Sequence, residues 1–404
     1  MNGRIVITGL GVVSSIGIGK AAFWKALIQG RSGISKITSF DTSEFPTHFG
    51  GEIKDFQPET FIHPRKIPRM GRTSLLAIAA AKMAVEDSRL ALQQLNRERI
   101  GVCFGSTMGE SQIIQLLDEA WVKQGEAGLK PGLIPQCPCN AVASNLAMEI
   151  GLKGPNYVIT NACAAGNFSI GYAFDLLRAD EADMMLAGGA DAFSRIAFTG
   201  FNRMLAVAPQ KCQPFDKNRK GIMVGEGAGM LILEPLENAL SRKAEIYAEI
   251  LGYGVSCDAH HMTAPESNGI SVCLTNALRE SRILPQDIDY INAHGTGTPA
   301  NDREECLAIK KVFGEFYRKI PVSSIKSMLG HTMGAASAIE TIACCLSVKE
   351  GIIPPTINYE TPDPECDIDC VPNAARRQRT DIALNNSSAF GGNNACLVLK
   401  KFAA

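Results

Sequence analysis

The run Tyr157-Val-Ile-Thr-Asn-Ala-Cys163-Ala-Ala-Gly166-Asn-Phe-Ser-Ile-Gly-Tyr-Ala-Phe174 changes character halfway along. β-type residues precede Asn161, a helical spacing follows Ala165, and Cys163 stands at the corner. The small residues Ala162, Ala164, Ala165 and Gly166 permit a strained strand-to-helix turn and leave room for a substrate to reach the sulfur. At a helix N-terminus, unpaired N–H groups and the positive end of the dipole favour thiolate, the reactive form. The same N–H groups can hold an oxyanion. Taken alone, the segment is equally compatible with a buried cysteine at a helix start.

Working outward, short apolar strand-like runs alternate with longer amphipathic stretches: Arg4–Thr8 then Ala21–Gln29, Ile100–Phe104 then Glu110–Gln124, and Met184–Ala187. This alternation predicts a layered α/β fold. After Leu233-Glu234-Pro235 a helical stretch leads to a new strand within Ile246–Gly254, and the order begins again. A helix is expected at Ser271–Ser281, strands at Tyr290–Ala293 and Pro321–Ser324, and a helix from Met333 to Lys349. The 404 residues therefore divide into two βα halves of related plan, 1–245 and 246–404. The Pro-rich stretch Ile353–Pro364 reads as a structured surface excursion.

Only six histidines occur, and two are unusually framed. His294, in Tyr290-Ile-Asn-Ala-His294-Gly295-Thr296-Gly297-Thr298, follows a short strand and precedes a glycine-threonine loop, where open α/β sheets place their sites. His331, in Lys326-Ser-Met-Leu-Gly330-His331-Thr-Met-Gly, again follows a strand and precedes a small-residue helix. With an elbow cysteine in the other half, the pattern suits a Cys-His-His site. A third glycine-rich piece, Ser388-Ala-Phe390-Gly391-Gly392-Asn393, feeds the last strand. It reads either as a second oxyanion donor and movable gate or as a plain tight turn.

Composition narrows the function classes. Hydrophobic residues at 46%, charged residues at 20% and 38 glycines describe a compact protein rather than a disordered or fibrous one. A net charge of −1 without basic runs argues against a broad nucleic-acid or membrane surface. The opening MNGRIVITGLGVVSSIGIGK is a poor signal peptide, and no apolar run reaches the roughly 18 residues of a spanning helix. The expected location is the cytoplasm, with the thirteen scattered cysteines reduced. Neither Cys137-Pro-Cys139 nor Cys366 with Cys370 has zinc spacing with a matching second pair, so no metal is expected. Gly9-Leu-Gly11-Val-Val-Ser14 lacks the third glycine of a dinucleotide fingerprint and is read as a strand-to-helix turn.

Together the elbow, both histidine loops, VITGLGVVSSIG, Pro214-Phe-Asp-Lys217 with Gly225-Glu-Gly-Ala-Gly229, KSMLGH and FGGNN resemble the thiolase superfamily, and within it the elongating β-ketoacyl-acyl-carrier-protein synthases. The resemblance covers nearly the whole chain. His331 stands where initiating synthases carry asparagine, and Cys396 does not match the second cysteine of thiolases. The resemblance implies a five-layered α-β-α-β-α fold and a decarboxylative condensation of malonyl-ACP with an acyl chain on Cys163, in fatty acid or polyketide and polyene synthesis. It implies that the N–H groups of Cys163 and Phe390 form the oxyanion hole and that His294 and His331 bind the malonyl thioester carbonyl. Lys326 and Glu340 would orient the site, Thr296 and Thr298 would bind phosphopantetheine, and Phe390 would gate the acyl chain with Gly391 and Gly392. Thr107, Met108 and Phe201 would select the chain. No separate cofactor is implied. The expected partners are an acyl carrier protein, met by basic residues such as Lys66, Arg69 or Arg72, and a second subunit. That subunit would be either an identical chain or a noncatalytic chain-length factor.

Overall fold

The computed structural model describes residues 3–403; Met1 and Asn2, at the head of the opening stretch, lie outside the described residues. Ten strands form the central path: β1 (Ile5–Ser14), β2 (Ile100–Gly105), β3 (Asn156–Ile159), β4 (Met184–Asp191), β5 (Gly227–Pro235), β6 (Ala248–Cys257), β7 (Tyr290–Asn292), β8 (Val322–Ser323), β9 (Ile382–Ala389) and β10 (Asn393–Lys400). Their order is β8-β7-β9-β10-β6-β1-β5-β4-β2-β3. Each half has the same plan. Within β1–β5 and within β6–β10 the spatial order is third, second, fourth, fifth, first, with the first three parallel and the last two antiparallel. The halves join where Ile5–Ile7 pair antiparallel with Ala248–Ile250.

The helices of the first half are α1 (Lys20–Ile28), α2 (Arg72–Asp87), α3 (Ser111–Gln124), α4 (Asn140–Ile150), α5 (Ala165–Arg178), α6 (Arg195–Arg203) and α7 (Leu236–Ser241). The second half adds α8 (Ser267–Ser281), α9 (Pro299–Phe313), α10 (Lys326–Leu329) and α11 (Ala336–Glu350). Helices α5 and α11 pack on each other and touch strands of both halves, while α2 with α4 and α8 with α9 cover the outer faces. The result is the expected five layers. As the middle layer, α11 is buried from Ala336 to Val348, so its sequence carries small and apolar residues all round rather than on one stripe.

Close packing of helices on the sheet explains glycines whose purpose is ambiguous in sequence. Gly9 and Gly11 lie inside β1 rather than in a turn, and a Cβ on Gly11 would stand 1.8 Å from the Ala80 carbonyl oxygen of α2. They admit a helix; they do not cradle a phosphate. Between the middle helices, a Cβ on Gly166 would stand 2.6 Å from the Ala338 backbone nitrogen. Polar groups also tie this layer together. Asn385 of β9 donates from Nδ2 to Asn167 Oδ1 (3.0 Å), the Ser337 carbonyl (2.9 Å) and Thr341 Oγ1 (2.9 Å), and Asn167 donates back to the Asn385 carbonyl (3.0 Å). Such fully partnered buried amides fix one docking of the layers.

Two further expectations change. Ile353–Thr356 are buried rather than a surface excursion, because Thr356 Oγ1 accepts the Ser324 N–H (2.9 Å) just beyond β8. The helix expected from Met333 begins as a 3-10 turn, Met333–Ala335, and becomes α11 only at Ala336.

Candidate active site

At the corner between β3 and α5, Ala162 has φ 44°, a left-handed conformation that a residue with a Cβ adopts only under constraint. Cys163 follows in a 3-10 turn and is 6% exposed. Its carbonyl is pinned by Ser387 Oγ (3.2 Å) and Ser337 Oγ (3.4 Å), donors from β9 and α11. Burial pushes the thiol up to about 12, outweighing the Lys326 cation and the N–H groups of Phe390 and Cys163, which favour thiolate; Asp191 adds to the rise. The thiolate expected from the helix terminus is therefore not the resting form. Desolvation of a buried sulfur exceeds what two amides and one cation return.

The first histidine loop leaves β7, with Gly295 at φ 37° and Gly297 at φ 77°. A buried carboxylate of α9 holds its backbone: Glu305 accepts the N–H groups of His294 (2.7 Å) and Gly295 (2.8 Å) and the Asn386 side-chain amide (2.7 Å). Burial raises Glu305 to about 7 in spite of these donors. Asp302, one turn earlier, accepts the N–H groups of Gly297 (3.2 Å) and Phe215 (2.8 Å). The second loop leaves β8 through α10 and turns at Gly330 (φ 76°). His331 is then held by its backbone, donating to the Met223 carbonyl (2.6 Å) and accepting from Gly225 (2.9 Å).

These loops bring the two imidazoles to 5.4 Å between ring centroids, edge to face at 82°. His331 Nδ1 accepts the Met333 N–H (3.1 Å), so the neutral ring carries its proton on Nε2. Both rings are held well below the ordinary imidazole range, first by burial and then by the Lys326 cation; His331 adds to the effect on His294. They are neutral N–H donors at physiological pH. Behind them, Lys326 and Glu340 form a fully buried ion pair, and burial raises the Glu340 carboxyl in spite of the lysine.

Cys163, His294 and His331 line one cavity of about 500 Å³. Thr296, Thr298, Phe201, Phe390 and Gly392 share its wall, and the two threonine hydroxyls bond each other at 2.9 Å. The Phe201 and Phe390 rings meet at 5.6 Å. Gly391, between two lining residues, has φ 82° and donates its N–H to the Met262 carbonyl (2.8 Å). Thr107 and Met108 are also not among the lining residues; their backbone amides donate to Asp191. Of the suggested docking cations, Arg72 is bound to Glu226 and Lys66 to Glu149; Lys220, which the sequence did not single out, lines the cavity instead. Glu305, Asp302 and Asp191 were also missed. None of them stands in a motif, Asp302 and Glu305 sharing a charged run with Arg303 and Glu304, and only the fold turns each toward backbone amides.

Among the described residues no group of three or more His, Cys, Asp or Glu side chains could hold a metal ion, and no helix is long and apolar enough to cross a membrane. The chain matches the family description "Beta-ketoacyl synthase, N-terminal domain" over residues 2–239 and "Beta-ketoacyl synthase, C-terminal domain" over residues 247–360. It is 42% identical to 3-oxoacyl-[acyl-carrier-protein] synthase 2 of Coxiella burnetii over 98% of each chain. It is similar to a solved chain of "The ishigamide ketosynthase/chain length factor", with 45% identity, full coverage of both chains and a TM-score of 0.97. A ketosynthase structure determined with a type II polyketide acyl-carrier protein is 32% identical, covers both chains fully and has a TM-score of 0.92. The thiolase-like layers, the cavity shared by Cys163, His294 and His331, and matches across both halves place this chain in the beta-ketoacyl synthase family of condensing acyltransferases.

Proposed function

We propose that the half spanning 1–245 supplies the nucleophile, Cys163, and the half spanning 246–404 supplies the two imidazoles that generate the carbon nucleophile. The cavity common to Cys163, His294 and His331 carries this reading. In the first step the Cys163 sulfur attacks an acyl thioester delivered by an acyl carrier protein. Its proton leaves with the departing pantetheine thiol, as suits a cysteine protonated at rest. The N–H groups of Cys163 and Phe390, which already act on the sulfur, stabilise the oxyanion. In the second step the malonyl carbonyl accepts hydrogen bonds from His294 and His331. The bond to the carboxylate breaks, CO₂ leaves, and the pair of electrons becomes an enolate held by two neutral donors. The carbanion then attacks the acyl-Cys163 carbonyl, and the Cys163 thiolate departs. Lys326 and Glu340 keep the imidazoles neutral and oriented, Thr296 and Thr298 hold the pantetheine arm, and the Phe201–Phe390 pair with Gly391 and Gly392 gates the acyl chain. Thr107 and Met108 act on chain selection.

No cofactor enters this chemistry beyond the carrier's phosphopantetheine. Thirteen free cysteines fit a reducing cytoplasm. Intact-protein mass spectrometry after incubation with acyl-ACP tests the scheme: an acyl adduct on the native chain and none on Cys163→Ala is expected, and an adduct that persists in the variant refutes it. A second reading is that the chain works as the catalytic subunit of a heterodimer with a chain-length factor. Ketosynthases with chain length factors among its structural relatives, at 45% and 27% identity, favour this. The sheet ends at β3, whose Tyr157 is exposed beside the exposed Tyr172, a free edge for a second subunit of either kind. Co-purification from the native host distinguishes one kind of subunit from two.

A further inference from the structure

Asp191, the last residue of β4, is a buried carboxylate, 2% exposed, whose partners are four neutral donors. Ser106 Oγ (2.7 Å) and the Met108 N–H (3.1 Å) reach Oδ1; the N–H groups of Thr107 (2.7 Å) and Gly334 (2.7 Å) reach Oδ2. Among the described residues it forms no ion pair. Three of the donors belong to the turn after β2, in the first half. The fourth belongs to the turn after His331, in the second. The two turns press together so closely that a Cβ on Gly334 would stand 2.6 Å from the Thr107 nitrogen.

The second turn is also the one that sets the His331 ring. Met333 is held at φ 54°, costly for a residue with a side chain, and its N–H donates to His331 Nδ1. Asp191 grips the very next amide. A strained residue persists only when its surroundings over-determine it, and here both flanking amides are engaged, one by the imidazole and one by the carboxylate. An asparagine at this place would turn an NH₂ toward one of these donors and leave a buried amide unpartnered.

We propose that Asp191 is a positioning residue for the condensing step, clamping the Ser106–Met108 turn to Met333–Gly334 so that His331 presents Nε2 to the cavity. This rests on the reading of His331 given above. The carboxylate has a second consequence, since it and Lys326 are the charges acting on Cys163, with opposite signs; Asp191 also acts on the buried Glu110. Removing the negative charge leaves Lys326, itself paired with Glu340, as the charge acting on the sulfur, so the thiol ionises at lower pH.

The test compares the wild-type chain with Asp191→Asn, using acyl-ACP and malonyl-ACP and the pH dependence of Cys163 alkylation by iodoacetamide. The variant is expected to lose about ten- to hundredfold in condensation kcat. KM for malonyl-ACP should stay within about threefold, and the alkylation midpoint should fall. A general loosening would also hydrate the thiol and lower its midpoint, so the discriminating readout is the 15N spectrum of the His331 ring, which should lose its single Nε2–H tautomer while the His294 signals stay as in wild type. Wild-type kcat in the variant, or a fall in kcat with the His331 ring still held as the Nε2–H tautomer, overturns the proposal. If Asp191→Asn does not fold, Ser106→Ala decides, since it removes one of the four donors and the acceptor of the Gly109 N–H (2.9 Å). A kcat about three- to tenfold lower at unchanged KM supports the clamp, and wild-type kcat overturns it. A wild-type chain that forms no acyl adduct on Cys163 would instead refute the functional reading itself.

Discussion

At the level of single residues, two neutral imidazoles and a protonated thiol share one cavity. Burial and the Lys326 cation both oppose imidazolium, so neither ring should titrate near its ordinary pKa. In NMR spectra of histidine-labelled protein, the His294 and His331 ring signals are expected to hold steady from pH 8 to about 6. A midpoint near 6.5 for either ring would contradict the site's electrostatics. Replacing Lys326 by alanine removes the positive charge that depresses both rings, so their pKa values rise. The acidic limb of the kcat/KM profile should then move to higher pH, with a rate loss of about tenfold or more. An unmoved limb would show that burial alone keeps the rings neutral.

Among the elements, the contact between α5 and α11 controls the site, because it joins the cysteine's helix to the one that follows His331. Gly166 allows that approach, with the Ala338 nitrogen only 2.6 Å from where a Cβ would stand. Gly166→Ala should cost roughly 3 kcal/mol, since the obstacle is backbone and cannot rotate away. Urea unfolding measures the loss, and a variant as stable as wild type would mean that the helices separate freely. Helix α5 follows directly from the period change in the sequence, whereas α4 carries no motif and was not anticipated. Its place is set by packing behind α2, a contact that local spacing does not encode.

For the whole molecule, the sheet ends in an open edge. Strand β3 leaves its outer edge unpaired, and Tyr157 and Tyr172 meet edge to face at 5.2 Å beside it. If a second subunit pairs there, Tyr157→Asp should turn an oligomer into a species of about 43.3 kDa in sedimentation, because a buried unpaired carboxylate at an interface is strongly unfavourable. Unchanged mass would move the interface elsewhere.

The sequence by itself determined the alternation of strands and helices, the repeat of the plan beyond Pro235, and the three loops that carry Cys163, His294 and Phe390. Periodicity and small residues at turns are local properties, readable from neighbours alone. Only the tertiary structure decided that Gly9 and Gly11 admit α2 within a strand, that Thr107 and Met108 face Asp191, and that Glu305 holds the His294 loop. The protonated resting state of Cys163 belongs to the same group. Each of these depends on what desolvates or touches a group from a distant part of the chain. Burial and close approach are sums over the packed molecule, and no local spacing contains them.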